Sequence, residues 1–192
     1  MVFSNVEKRR RHYDERSQRV ENSFQDAHLL VHPGYSELNF NDNPEDSIFK
    51  WLNDTRGLHR TDYDSRQVYN SYKSGIQEVL METESPVVLL YNQGSLDRYR
   101  EFLGAEIDYP IDDVDLIIES DPDRGFIPES GIEQFADLLE EMDNDGRIYV
   151  HGEQNGICTD DSKESLDEVI RILDKDITVE EGEVFPSRPL SV

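Results

Sequence analysis

Four short apolar runs, each closed by turn residues and each separated from the next by a helix-length stretch, limit this chain to few folds. The runs are Ala27 to Val31, Val87 to Tyr91, Val114 to Ile118 and Arg147 to Val150. They end at Pro33-Gly34, at Asn92-Gln93-Gly94, at Ser120-Asp121-Pro122-Asp123-Arg124-Gly125 and at Gly152. A continuous apolar run of this length is what a strand covered on both faces requires, and proline and glycine stop such a strand abruptly.

Between the runs the spacing changes from strand-like to helical. Val68, Tyr69, Tyr72, Ile76, Val79 and Leu80 predict an amphipathic helix over 63–81, with Ser85-Pro86 beyond its end. A short helix follows over 97–103, and Ile132, Phe135, Ala136, Leu138, Leu139 and Met142 predict another that stops near Asp145-Gly146. The last helix begins near Cys158, has an acidic first turn in Asp160-Asp161, and runs through Ile172 to a final strand at Ile177-Thr178-Val179. Strands alternating with amphipathic helices give an α/β, Rossmann-like three-layer sandwich with a mostly parallel sheet of about five strands.

Outside this pattern lie two ends and one long connection. Residues 1–26 form an N-terminal charged helical arm, with Phe3, Val6, Tyr13, Val20 and Phe24 at roughly helical spacing and a basic cluster at Lys8-Arg9-Arg10-Arg11. Residues 27–180 form the single α/β domain, and 181–192 form a tail with Pro186 and Pro189. In the connection after the first strand, Asn43 is placed to cap and Pro44 to open a short helix through Phe49, Trp51 and Leu52.

Charge narrows the function classes. Asp and Glu number 43 against 19 Lys and Arg, a formal net charge of −24. Nine tyrosines, eight phenylalanines and the Val/Ile/Leu runs argue against disorder, so the acids are read as the surface of a haloadapted protein. The same excess disfavours nucleic acid, whose phosphates need clustered cations. A single cysteine excludes an internal disulfide, and neither a signal peptide nor an apolar run of membrane-spanning length is seen, so a soluble, cytoplasmic chain is expected.

Parallel sheets place their ligands beyond the carboxyl ends of the strands. If the sheet is right, that edge collects His32, Tyr91, Asn92, Glu119, Asp121, Asp123, His151, Glu153 and Cys158. Cys158 is a small apolar residue in one reading. In the other, the amides of a helix N-terminus lower its pKa and make it a nucleophile, against the opposing charge of Glu153, Asp160 and Asp161. Two histidines beside carboxylates are metal-ligand chemistry, but no HExxH-type spacing accompanies them, and neither a metal nor a cofactor is implied.

The order and spacing over residues 27–180 resemble the isochorismatase-like cysteine hydrolases, the superfamily that includes the nicotinamidases. Gly152 and Cys158 have the six-residue separation of that family's strand-end glycine and nucleophilic cysteine, and Leu29-Leu30-Val31-His32-Pro33 is similar to its first strand. Ile117-Ile118-Glu119, followed by Phe126 and by Phe135, Leu138 and Leu139, is similar to its third strand and following helix. The resemblance implies catalytic positions at Cys158, His32 and Glu119, with His32 where the family has its aspartate base and Glu119 where it has its lysine. Tyr91, Asn92, His151, Glu153 and Asn155 would bind ligand. With two of three catalytic positions replaced, a degenerate site is expected, in a domain acting as a structural or interaction protein within a homo-oligomer or larger assembly and retaining a small-molecule ligand. The alternative is a hydrolase of small amides or esters. In it Cys158 attacks, His32 is the base, and the backbone amides of residues 156–159 hold the oxyanion. Asp121-Pro122-Asp123-Arg124-Gly125 also resembles the magnesium-binding Asp-x-Asp segment of Toprim domains, but the same residues are ordinary turn formers.

Overall fold

The computed structural model describes residues 23–33, 65–81, 83–92, 94–120, 125–152 and 158–182. The arm over 4–22, the short helix from Pro44, Asp121 and Asp123, Glu153, Asn155 and Gly156, and most of the tail lie outside them.

Five parallel strands form one sheet in the order β3-β2-β1-β4-β5. They are β1 (Phe24–Val31), β2 (Val87–Asn92), β3 (Leu116–Ser120), β4 (Met142–Gly152) and β5 (Thr178–Glu181). The helices between them are α1 (Ser65–Met81), α2 (Leu96–Phe102), α3 (Glu129–Glu141) and α4 (Cys158–Leu173). The expected α/β sandwich is what the chain forms.

The period of two along the strands sorts the core onto two faces. Val87 and Leu89 of β2 and Leu30 of β1 pack with Tyr72, Ile76, Val79 and Leu80 of α1 and with Tyr99 and Phe102 of α2. Val88 and Leu90, with Ala27, Leu29 and Val31, pack instead against Phe135 and Leu139 of α3 and Leu166, Val169 and Ile170 of α4. Both layers are closed because β1 and β2 are apolar at every position from 29 to 31 and from 87 to 90. The chain runs outward from β1 to β2 to β3, then returns past β1 to β4 and continues to β5. The two directions of winding therefore part between β1 and β4.

Element boundaries differ from the sequence reading in three places. β1 starts at Phe24, so residues 24–26 belong to the sheet rather than to the N-terminal arm. β4 already starts at Met142, ahead of the Asp145-Gly146 turn signal. The reason is a register shift: Phe24 pairs with Met142 but Asp26 pairs with Arg147, so residues 143–146 bulge opposite Gln25 alone. A Cβ at Gly146 would stand 2.8 Å from the Gln25 carbonyl oxygen, which is why the bulge closes on glycine. Third, α2 continues into a wide turn at Leu103–Ile107 that ends at Asp108 in the left-handed region, φ 60°. Val114 is core beneath that segment, and Asp115 Oδ2 accepts the Val87 N–H at 2.7 Å, fixing the start of β2.

α3 carries no basic residue in its last turn, yet a helix C-terminus leaves carbonyls in need of donors. Lys175 supplies them from the far side of α4, its Nζ donating to the carbonyls of Leu139, Glu140 and Met142 at 2.5, 2.8 and 2.7 Å. Lys175→Met keeps the stem and removes all three donors. It is expected to destabilise the fold by about 1 to 3 kcal/mol in urea titrations without changing the m-value.

Candidate site at the carboxyl ends of the strands

β1 ends in a bend that decides the geometry of this edge. His32 has φ 50°, a left-handed conformation uncommon for a residue with a Cβ, and its N–H donates to the Leu90 carbonyl at 2.9 Å. The bend takes the imidazole out of the alternation of β1 and carries it across the end of β2. Its Nε2 lies 2.9 Å from Ser120 Oγ on β3, two strands away. Both residues are 3 % exposed. Burial pushes the imidazole down from its ordinary 6.5 to about 4, so His32 is neutral at physiological pH.

Ser120 is a site residue that the sequence reading passed over in favour of Glu119. On β3, Ile118 packs with α3 and α4 while Ile117 packs with α1 and α2. Ser120 shares the face of Ile118, and Glu119 shares that of Ile117. Glu119 is exposed, and its Oε1 accepts the Gly94 N–H at 3.0 Å. Cys158 packs with the α3 and α4 layer, so Glu119 and Cys158 stand on opposite faces of the sheet. The signal that could have found Ser120 was parity with Ile118.

Tyr91 pairs with Glu119 across the β2–β3 ladder, and its hydroxyl is raised above the usual phenol range, first by burial and then by the Glu119 charge. Asn92 Oδ1 accepts the Tyr99 hydroxyl at 2.8 Å. Tyr91, Asn92 and Glu119 are thus tied to one another, to Gly94 or to α2.

Cys158 is the first residue of α4, half-buried, and its surroundings are close-packed backbone. A Cβ on Gly125 would lie 2.0 Å from the Cys158 carbonyl oxygen, and one on Gly152 would lie 2.4 Å from the Thr159 methyl and 3.4 Å from Val31. Ser162 Oγ, one turn on, sits 2.7 Å from the Gly125 carbonyl and 2.8 Å from that of Cys158 and shares its proton between them. Ser165 Oγ accepts the Ile127 N–H at 3.3 Å. Two glycines and two serines therefore seat the N-terminus of α4 against the ends of β1 and β4 and against residues 125–127. The end of β4 and the start of α4 are thus in contact, Gly152 lying against Thr159.

His151 takes part in a different arrangement. It pairs with Leu30 in register and lies on the α1 face, where its Nε2 is 3.0 Å from His28 Nδ1 and the two rings stack at 5.2 Å. His28 also stacks on Tyr149 at 5.3 Å, and the Arg147 guanidinium lies 5.7 Å from the Tyr149 ring centroid while pairing with Asp26 at 2.9 Å. Burial, and then the neighbouring His28, push His151 down to about 3. An N···N hydrogen bond needs one imidazole with a free lone pair, so the contact does not survive protonation of both rings. Among the described residues no three His, Cys, Asp or Glu side chains converge as a set of metal ligands.

Comparison with protein-family models, with curated proteins and with solved structures found no match to this chain. What the site does has to come from the residues themselves.

His32 and His151 make a prediction for stability. From about pH 7.5 upward both are neutral folded and unfolded, so they add no pH dependence. Below 6.5 the unfolded chain binds protons that the folded chain refuses, so stability falls as pH drops from 6.5 towards 4, by at most about 1.4 kcal/mol per pH unit for each histidine. Urea unfolding between pH 4.5 and 7.5 is expected to show this loss, and the paired variant His32→Gln and His151→Gln is expected to show a shallower one.

Proposed function

We propose that this chain is a haloadapted α/β domain that takes a small-molecule ligand at the carboxyl ends of β1, β3 and β4. Its scaffold resembles the isochorismatase-like hydrolases but lacks their thiol chemistry. The observation that carries this reading is the hydrogen bond between His32 and Ser120. In that family the ends of the first and third strands hold an aspartate and a lysine, a charged pair around the cysteine. Here the same two strand ends hold a neutral imidazole and a hydroxyl, while Glu119 points to the other face.

Electrostatics supports the loss of thiol chemistry. A thiolate needs a nearby cation or strong donors, and Asp160 and Asp161 in the first turn of α4 oppose it. A ligand site is supported by position and by cost. His32 and Gly152 end the two strands between which the winding reverses, where open α/β sheets hold their ligands. A polar pair buried at that point carries a desolvation cost that a purely apolar packing role would avoid.

One observation favours a second reading, a cysteine hydrolase: Cys158 does open α4 at this edge, beside Gly152. Iodoacetamide alkylation of Cys158 followed by mass against pH separates the two. The proposed function expects reaction only as pH approaches the ordinary thiol range near about 8.5, whereas rapid alkylation at pH 6 would establish a lowered thiol pKa and favour the hydrolase.

Haloadaptation is supported by where the acids fall. Glu129, Glu133, Asp137, Glu140 and Glu141 on α3, and Asp160, Glu164, Asp167 and Glu168 on α4, are all exposed on helices with few bases to answer them. Such a surface repels itself in dilute buffer and is screened by salt. The melting temperature is expected to rise by several degrees or more between 50 mM and 2 M KCl, and a flat response would remove this part of the proposal.

A further inference from the structure

We propose that Ser120 is a nucleophile with His32 as its general base, acting on small esters or amides. This rests on the ligand site proposed above and names its chemistry.

The geometry is that of a serine–base pair. Ser120 Oγ and His32 Nε2 are 2.9 Å apart, within the range for direct proton transfer, and come from strands that do not touch each other. The contact depends on the left-handed bend that His32 adopts at the end of β1, a conformation uncommon for a residue with a Cβ. The alternation of β3 points Ser120 to the side on which α4 lies. α4 starts beside these strand ends, with the Thr159 methyl against Gly152 and Val31, the residue before His32. In this proposal the donors for a developing oxyanion come from the start of α4. Neutral imidazole is the form that accepts a proton, and burial keeps His32 in it.

In the reaction, Ser120 Oγ bonds to the carbonyl carbon while its proton passes to His32 Nε2 and the carbonyl π electrons move onto oxygen. The tetrahedral intermediate collapses, the bond to the alcohol or amine breaks, and that leaving group takes the proton from Nε2. Water then attacks the acyl ester on Ser120, giving one proton through His32 back to Ser120 Oγ, and the carboxylic acid departs. The sum is ester or amide plus water giving acid plus alcohol or amine.

The test is labelling of the full chain in molar KCl by a small alkyl fluorophosphonate, with the modified residue mapped by peptide mass spectrometry. Attack on phosphorus with loss of fluoride is expected to place one adduct on Ser120. The labelling rate should be flat from pH 8 to pH 5.5 and fall below it as His32 protonates near 4. His32→Gln, which keeps a polar partner for Ser120, is expected to slow labelling about 100-fold at an unchanged melting temperature. An unlabelled folded chain, an adduct confined to other residues, or a His32→Gln rate equal to that of the unchanged protein would each overturn the proposal. The readout is at Ser120, so it stands apart from the alkylation of Cys158. Loss of Ser120 labelling with an unreactive Cys158 leaves the ligand site and rejects only its chemistry.

Discussion

The hydrogen bond from His32 to Ser120 spans a whole strand, and it does so because β2 is the strand between them in an all-parallel sheet. Parallel register sets the ends of β1, β2 and β3 at one level: Val31 pairs with Leu90 and Asn92 with Ser120. The β1 backbone then turns over, donating the His32 N–H to Leu90, and its side chain reaches the next strand but one. Were one of these strands antiparallel, or were β3 shifted by one residue, the hydroxyl would leave the site and Glu119 would enter it. The chemistry of this edge is therefore a consequence of register.

Two layers of small residues complete that edge. Gly125 and Gly152 approach α4 more closely than any side chain would allow, and Ser162 and Ser165 tie residues 125–127 to its first two turns. The effect is to lock the start of α4 against the strand ends, with Cys158 packed on the apolar layer. Among the described residues two histidines are buried to comparable depth but do different work. His32 meets a hydroxyl at the strand ends, whereas His151 meets His28 on the α1 face of β1 and β4. Their lowered proton affinities have burial as the main cause in both cases.

Much of the fold was legible in the sequence because its strands are short, apolar throughout and separated by helices with a clear 3.6-residue period. Those are the properties of a parallel sheet covered on both sides, and the runs at 29–31 and 87–90 carry almost the whole central layer. Legibility failed where local signals conflict with tertiary pairing. Asp145-Gly146 reads as a turn between elements, but the β1–β4 ladder absorbs it as a bulge. At the site, matching Glu119 to a family lysine put the emphasis one residue away from Ser120. Only the pairing of β3 with β2, and the face on which Ile118 packs, decide which of two adjacent residues points inward. The left-handed turn at His32 carried no sequence signal at all beyond the proline that follows it.

The account stands on a neutral His32 that accepts the Ser120 proton, and the most direct measurement of that is the nitrogen spectrum of the imidazole. Two-bond ¹⁵N–¹H correlation spectra of the histidine-labelled protein at pH 7, assigned with His32→Gln, report the tautomer and the titration together. The account predicts an unprotonated Nε2 and a protonated Nδ1 that persist down to about pH 5, with the ring titrating near 4. A His32 that titrates near 6.5, or that carries its proton on Nε2 and donates to Ser120, would contradict it.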